Sequence, residues 1–119
     1  MNKKELSRLK RHNRIRLRMH GTKTKPRLVV KRSLNNLSAT VVNDVENKVI
    51  FSLSTVNKEF KQEVKNSGNV KAAEIFGQFF SRKAKEKGIT KIIFDRAGYL
   101  YHGRIKTFAE SLRKGGMEF

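Results

Sequence analysis

From Arg27 onward the apolar positions fall into short runs, "RLVVKR", "LSATVV" and "KVIFSLS", rich in β-branched residues and separated by "SLNN" and "NDVEN". Asn, Asp and Ser in the separators bond to their own main chain and tolerate left-handed backbone, so the runs are predicted to be three antiparallel strands in a meander. Within the second run Leu37, Ala39 and Val41 point one way and Ser38 and Thr40 the other. Part of one sheet face is thereby left for solvent or a ligand. Residues 56 to 68 read as a polar connection ending in "NSGN". The period then changes: in "VKAAEIFGQFFSRKAKEK" Val70, Ala73, Phe76 or Gly77, Phe80 and Ala84 recur at helical spacing. Asn69 or Ser67 suits the N-cap of that helix and Gly88 its C-terminal cap. "TKIIFD" reads as a buried strand. "RIKTFAESLRK" sets Ile105, Phe108, Ala109 and Leu112 on one helical face before Gly115 and Gly116 end the run.

The order β-β-β-α-β-α predicts an α/β fold. A strand, helix, strand passage favours a right-handed crossover, which sets the fourth strand parallel to one of the first three in a mixed four-stranded sheet with packed helices. This domain is expected over residues 27–119. Residues 1–26 differ in texture. Leu6, Leu9 and Leu17 share one helical face, Asn13 interrupts the stripe, and Gly21 and Pro26 close the segment. The pattern predicts a weak amphipathic helix that forms fully only against a partner.

Charge gives that segment its meaning. The chain of 119 residues has 28 Lys and Arg against 10 Asp and Glu, for +18. Residues 1–32 alone hold thirteen bases and one acid, Glu5, a net +12. With almost no internal acid to pair them, these bases call for a polyanion. Arg8, Lys10, Arg11, Arg14, Arg16, Arg18, Lys23, Lys25 and Arg27 alternate with Leu, Ile and Asn, so phosphates can be met from most sides of the segment. The absence of cysteine excludes disulfides and thiol chemistry, and no apolar run nears the roughly 18 residues that span a bilayer. A basic helix lying on a membrane is disfavoured because the stripe from Leu6 to Leu17 is narrow and broken. The chain reads as soluble and cytoplasmic.

The densest chemistry lies in "DRAGYLYHGR", residues 95 to 104. Asp44, Asp95 and His102 are the acid, base or metal-ligand candidates, and a metal-dependent α/β nuclease using them is the alternative function. Turn bonding accounts for Asp44 in "NDVEN", and Asp95 at a strand end caps the loop beyond it. No nucleophile elbow, phosphate-binding P-loop or dinucleotide fingerprint is present. In the same stretch Arg96 and Arg104 reach phosphates, while Tyr99, Tyr101 and His102 suit stacking on unpaired bases or bonding to ribose hydroxyls. That combination fits folded RNA better than duplex DNA. One of the two tyrosines is expected in the core.

"DRAGYLYHGRIKTFAESLRKGGMEF" resembles the C-terminal part of the bacterial large-subunit ribosomal protein number eighteen family. "KPRLVVKRS", "GNVKAAEIFGQFFSRKAKEKGITKIIFDR" and the basic arm extend the likeness over nearly the whole chain. The resemblance implies a mixed sheet flanked by helices with a flexible basic arm. It implies binding to 5S ribosomal RNA, docked into the central protuberance beside the large ribosomal RNA and a neighbouring 5S-binding protein. It implies no catalytic duty, no cofactor and no small-molecule substrate. Family members usually carry a second glycine where Ala97 stands, which implies a turn here that does not need positive φ at 97. The second strand also departs from the family pattern, with "NNLSA" at its start. The expected RNA-contacting residues are the nine arm bases, Arg32, then Ser33, Asn35 and Asn36 of the "SLNN" turn, and Arg96, Tyr101, His102 and Arg104.

Overall fold

The computed structural model describes residues 2–64 and 68–119. Helix α1 (Lys3–Arg16) precedes strands β1 (Arg27–Arg32), β2 (Leu37–Asn43) and β3 (Lys48–Ser54), helices α2 (Lys58–Glu63) and α3 (Val70–Glu86), strand β4 (Ile93–Asp95) and helix α4 (Gly103–Lys114). The four strands form one sheet in the order β3-β2-β1-β4. β1 and β2 pair antiparallel, as do β2 and β3, whereas β4 runs parallel to β1. The mixed sheet expected from the strand, helix, strand passage is the one observed.

Two boundaries differ from expectation. Within the connection read as polar, α2 forms because Phe60 is completely buried, edge-on to Phe76 and Phe79. Phe60 and Val64 are two apolar positions in a polar run, too few to set a period, so the helix is invisible to periodicity. The strand expected over 90–95 pairs with β1 only from Ile93. Pro26, which has no N–H for a ladder, marks the limit, its carbonyl accepting from Ile93 N at 2.9 Å. Lys91 instead bridges to Glu118, and Ile92 N donates to the Glu118 carbonyl at 3.1 Å. Asn69 is the N-cap of α3, accepting from Ala72 N at 2.8 Å, and Gly88 follows the helix at φ +75. Ser67, the other cap candidate, lies outside the described residues.

Leu28, Val30, Leu37, Ala39 and Val41 point to one face and meet α3 and α4. Phe76 and Phe108 stack at 5.2 Å between those helices, and Phe80 sits edge-on to both. The helices approach closely because Gly77 faces Ser111, where an added Cβ would lie 2.5 Å from Ser111 Cβ and 3.0 Å from the Phe108 carbonyl oxygen. On the opposite face Thr40 and Ser52 share a hydroxyl hydrogen bond at 3.0 Å.

Gly77→Ala should destabilise the fold by roughly 1–3 kcal/mol through overpacking, although alanine is the better helix former. Urea denaturation checks it, and an unchanged or raised midpoint would contradict the close approach.

Candidate nucleic-acid interface

Arg27 begins β1 on the face away from the core helices, where Asp95 at the end of β4 shares its side of the sheet. Its Nε and Nη2 donate to Asp44 at 2.9 and 3.1 Å, and Nη1 donates to Asp95 Oδ2 at 2.7 Å. Arg27 and Asp95 are buried, 8% and 1% exposed. Burial pulls the Arg27 guanidinium down, but the hydrogen bonds from it to the two carboxylates outweigh that and leave its pKa above the ordinary value. The same bonds, opposed by burial and helped by Gly21 N–H, hold the Asp44 carboxyl at about 2. Arg27 was expected to contact RNA; it instead neutralises two acids inside the fold.

The same two acids seat the arm. His12 Nε2 lies 3.0 Å from Asp95 Oδ2, and Arg16 Nη2 lies 3.5 Å from Asp44 Oδ1. Gly21 N donates to Asp44 at 2.7 Å. Farther along, Arg8 Nη1 donates to the Ala97 carbonyl at 2.8 Å and Arg11 Nε to the Gly98 carbonyl at 3.0 Å. α1 has no buried residue, and Leu6 and Leu17 of the expected apolar stripe are 47% and 88% exposed. Polar docking, rather than the leucines, therefore places this helix.

The loop from 95 to 104 is built to receive α1. Asp95 Oδ1 accepts from Ala97 N at 2.9 Å, and Tyr99 N donates to the Arg96 carbonyl at 3.0 Å, closing a tight turn. Both central residues are left-handed, Ala97 at φ 55 and Gly98 at φ 80. The expectation that position 97 does not need positive φ is overturned: the mirror-image turn requires it at both central positions. Gly98 also lets the α1 backbone approach, since a Cβ there would collide with the Arg8 carbonyl oxygen.

Tyr99 is the core tyrosine, 8% exposed, and donates its hydroxyl to the Arg32 carbonyl at 3.2 Å. Tyr101 is 38% exposed and lines an apolar cleft of about 500 Å³ with Arg96, Ile15 and Phe119. Lys10, Arg14, Arg18, Lys23 and Lys25 are exposed, as are Arg32, Ser33, Asn35 and His102. Asn36 is half-buried; its Oδ1 accepts from the Thr55 hydroxyl at 2.8 Å, so this side chain shapes the turn. Arg104 donates to the Ser33 carbonyl at 2.7 Å, and its pKa is lowered by burial and by neighbouring Arg32. The structure does not assemble the nuclease candidates. Asp44 and Asp95 share Arg27, while His102 precedes α4 and lines a different cleft. Among the described residues no three His, Asp or Glu side chains are grouped to hold a metal.

Sequence reading missed Arg27 and His12 as internal partners. The signal was the pair of acids at strand ends, because a buried carboxylate requires a cation. A model of the family described as "Ribosomal L18 of archaea, bacteria, mitoch. and chloroplast" matches residues 2–119. The chain belongs to the ribosomal L18 family. The large ribosomal subunit protein uL18 of Heliobacterium modesticaldum is 46% identical over 116 residues, covering 98% of this chain and 95% of the relative. The uL18 protein of Clostridioides difficile is 44% identical with the same coverage. That of Dictyoglomus thermophilum is 41% identical over 117 residues, covering 98% of this chain and 95% of the relative. Membership in the L18 family makes the chain a structural, non-enzymatic component of the large ribosomal subunit, which acts in the cytoplasm within the ribosome. Among the described residues no helix is long and apolar enough to cross a membrane.

Three substitutions test this geometry. Ala97→Gly should raise stability by about 0.5 kcal/mol, as relief of roughly 1–2 kcal/mol of left-handed strain exceeds roughly 0.4–1 kcal/mol of added chain entropy. Ala97→Val should lower it by roughly 1–3 kcal/mol, since a β-branched residue resists this backbone; urea unfolding of both variants is the check. For Asp44, a folded pKa of about 2 against an ordinary 3.8 means its contribution is present above pH 4 and lost as pH falls from 4 to 2. Asp44→Asn should lower stability at pH 7 and flatten that acid limb, measured by urea unfolding across the range.

Proposed function

We propose that this chain binds 5S ribosomal RNA and helps attach it to the large ribosomal RNA in the central protuberance, beside a neighbouring 5S-binding ribosomal protein. One observation carries the reading: the arm presents Lys10, Arg14, Arg18, Lys23 and Lys25 outward while Arg8, Arg11, His12 and Arg16 fasten it to the domain. Some of its bases hold the helix in place, and the rest face outward, free to meet phosphate. Such a fixed row of cations gives orientation as well as attraction. Tyr101, His102 and Ser33 lie exposed on the domain and supply stacking and ribose contacts suited to folded RNA.

Neutralising roughly six to ten phosphates should make affinity fall by about three to five decades between 50 and 200 mM salt. Gel shifts with 5S RNA, transfer RNA and duplex DNA over that range test attraction and discrimination together. Deleting residues 1 to 20 should weaken 5S RNA binding strongly and leave the domain folded, because α1 contributes no buried residue. Equal binding of 5S RNA and the two controls would sink the assignment of partner.

A further inference from the structure

An open cleft of about 930 Å³ lies between the start of α1, the β1–β2 turn and the loop preceding α4. Lys3, Lys4, Arg8, Arg11, Arg32 and Arg104 line it against a single acid, Glu5, whose carboxylate is 3.7 Å from Arg8 and half exposed. The Arg8 and Arg32 guanidiniums lie 4.6 and 4.9 Å from the centre of the Tyr99 ring. Arg104 donates Nη2 to the Ser33 carbonyl, while its Nη1 is buried without a hydrogen-bond partner among the described residues. A buried guanidinium nitrogen that lacks an acceptor is a site where a ligand oxygen gains most.

Docking of α1 itself creates this cluster. Seating Arg8 on the Ala97 carbonyl and Arg11 on the Gly98 carbonyl carries two cations into a cleft that already holds Arg32 and Arg104. Like charges brought together oppose the docking, and an anion placed among them removes the opposition. Planar guanidiniums match the tetrahedral oxygens of phosphate, often two at a time.

We propose that this cleft is a phosphate site that takes a phosphodiester of the RNA backbone among Arg8, Arg32 and Arg104, and that its occupancy holds α1 against the domain. The proposal rests on the RNA-binding reading above and adds a coupling to it: phosphate stabilises the docked arm, and the docked arm strengthens phosphate binding by the same factor.

The test uses the full chain carrying Tyr101→Phe, which leaves Tyr99 as the single tyrosine in a protein without tryptophan. Inorganic phosphate is titrated against chloride at constant ionic strength, reading Tyr99 emission and the rate of tryptic cleavage in residues 1 to 26. The emission titration is repeated with Arg104→Gln and Arg32→Gln in the Tyr101→Phe chain, whereas 5S RNA affinity is measured against salt for the unsubstituted chain and for each glutamine variant with Tyr101 retained. Thermal unfolding confirms that each variant is folded, and Arg104→Lys keeps charge without the fork if the glutamine variant is not. The expected result is a saturable emission change with slowed cleavage, lost in the glutamine variants. The salt slope for RNA should also fall by about one in Arg104→Gln. A changed slope with no response to inorganic phosphate supports a site that requires the RNA backbone. An unchanged slope and affinity for RNA in both glutamine variants overturns the cleft and leaves the RNA reading standing. A phosphate response in a chain that fails to bind RNA overturns the RNA assignment here and above, with free phosphate as the occupant.

Discussion

The arrangement of the molecule depends on one buried guanidinium. Arg27 is held by Asp44 beyond the end of β2 and by Asp95 at the end of β4, so one side chain joins three adjacent strands of the sheet. A buried ion pair of this kind is no strong source of net stability, but loss of one partner leaves an uncompensated charge in the interior. The register of β1 against both neighbours is thereby made hard to change. The acids then have capacity left over, which His12, Arg16 and the Gly21 amide use.

This cluster decides where positive charge is displayed. Among the described residues, the bases of the arm find anionic partners in the domain at Asp44 and Asp95. Those contacts and two loop carbonyls fix one face of α1; the remaining bases stay outward. A family that works as a structural part of the ribosome needs charge placed with orientation, and hydrogen-bonded docking supplies it where an apolar seam does not.

Much of the domain was legible because its signals are local. The β-branched runs around "SLNN" and "NDVEN" became β1, β2 and β3, and the helical spacing of Ala73, Phe76, Phe80 and Ala84 became α3. α2 was hidden because Phe60 and Val64 are too few to set a period, and the burial of Phe60 depends on rings contributed by α3. Ala97 misled because an alanine argues for ordinary backbone, whereas the turn from Arg96 to Tyr99 imposes φ 55 on it. Leu6 and Leu17 misled in the opposite sense: they stay 47% and 88% exposed, and no residue of α1 is buried. The loop from 95 to 104 was read as a surface for RNA; in the fold its Ala97 and Gly98 carbonyls receive Arg8 and Arg11 of the chain's own arm.

Sequence alone determined the strand and helix pattern apart from α2, the excess of positive charge and its concentration in residues 1 to 32. Each of these is a property of neighbouring residues, so no knowledge of distant contacts is required. Tertiary structure alone decided which bases face inward. Arg27 meets Asp44 across 17 positions and Asp95 across 68, and α1 meets the 95–104 loop across more than 80. A cation on the page is the same letter whether it will bind phosphate or a buried carboxylate. Only the fold brings the carboxylate near enough to choose.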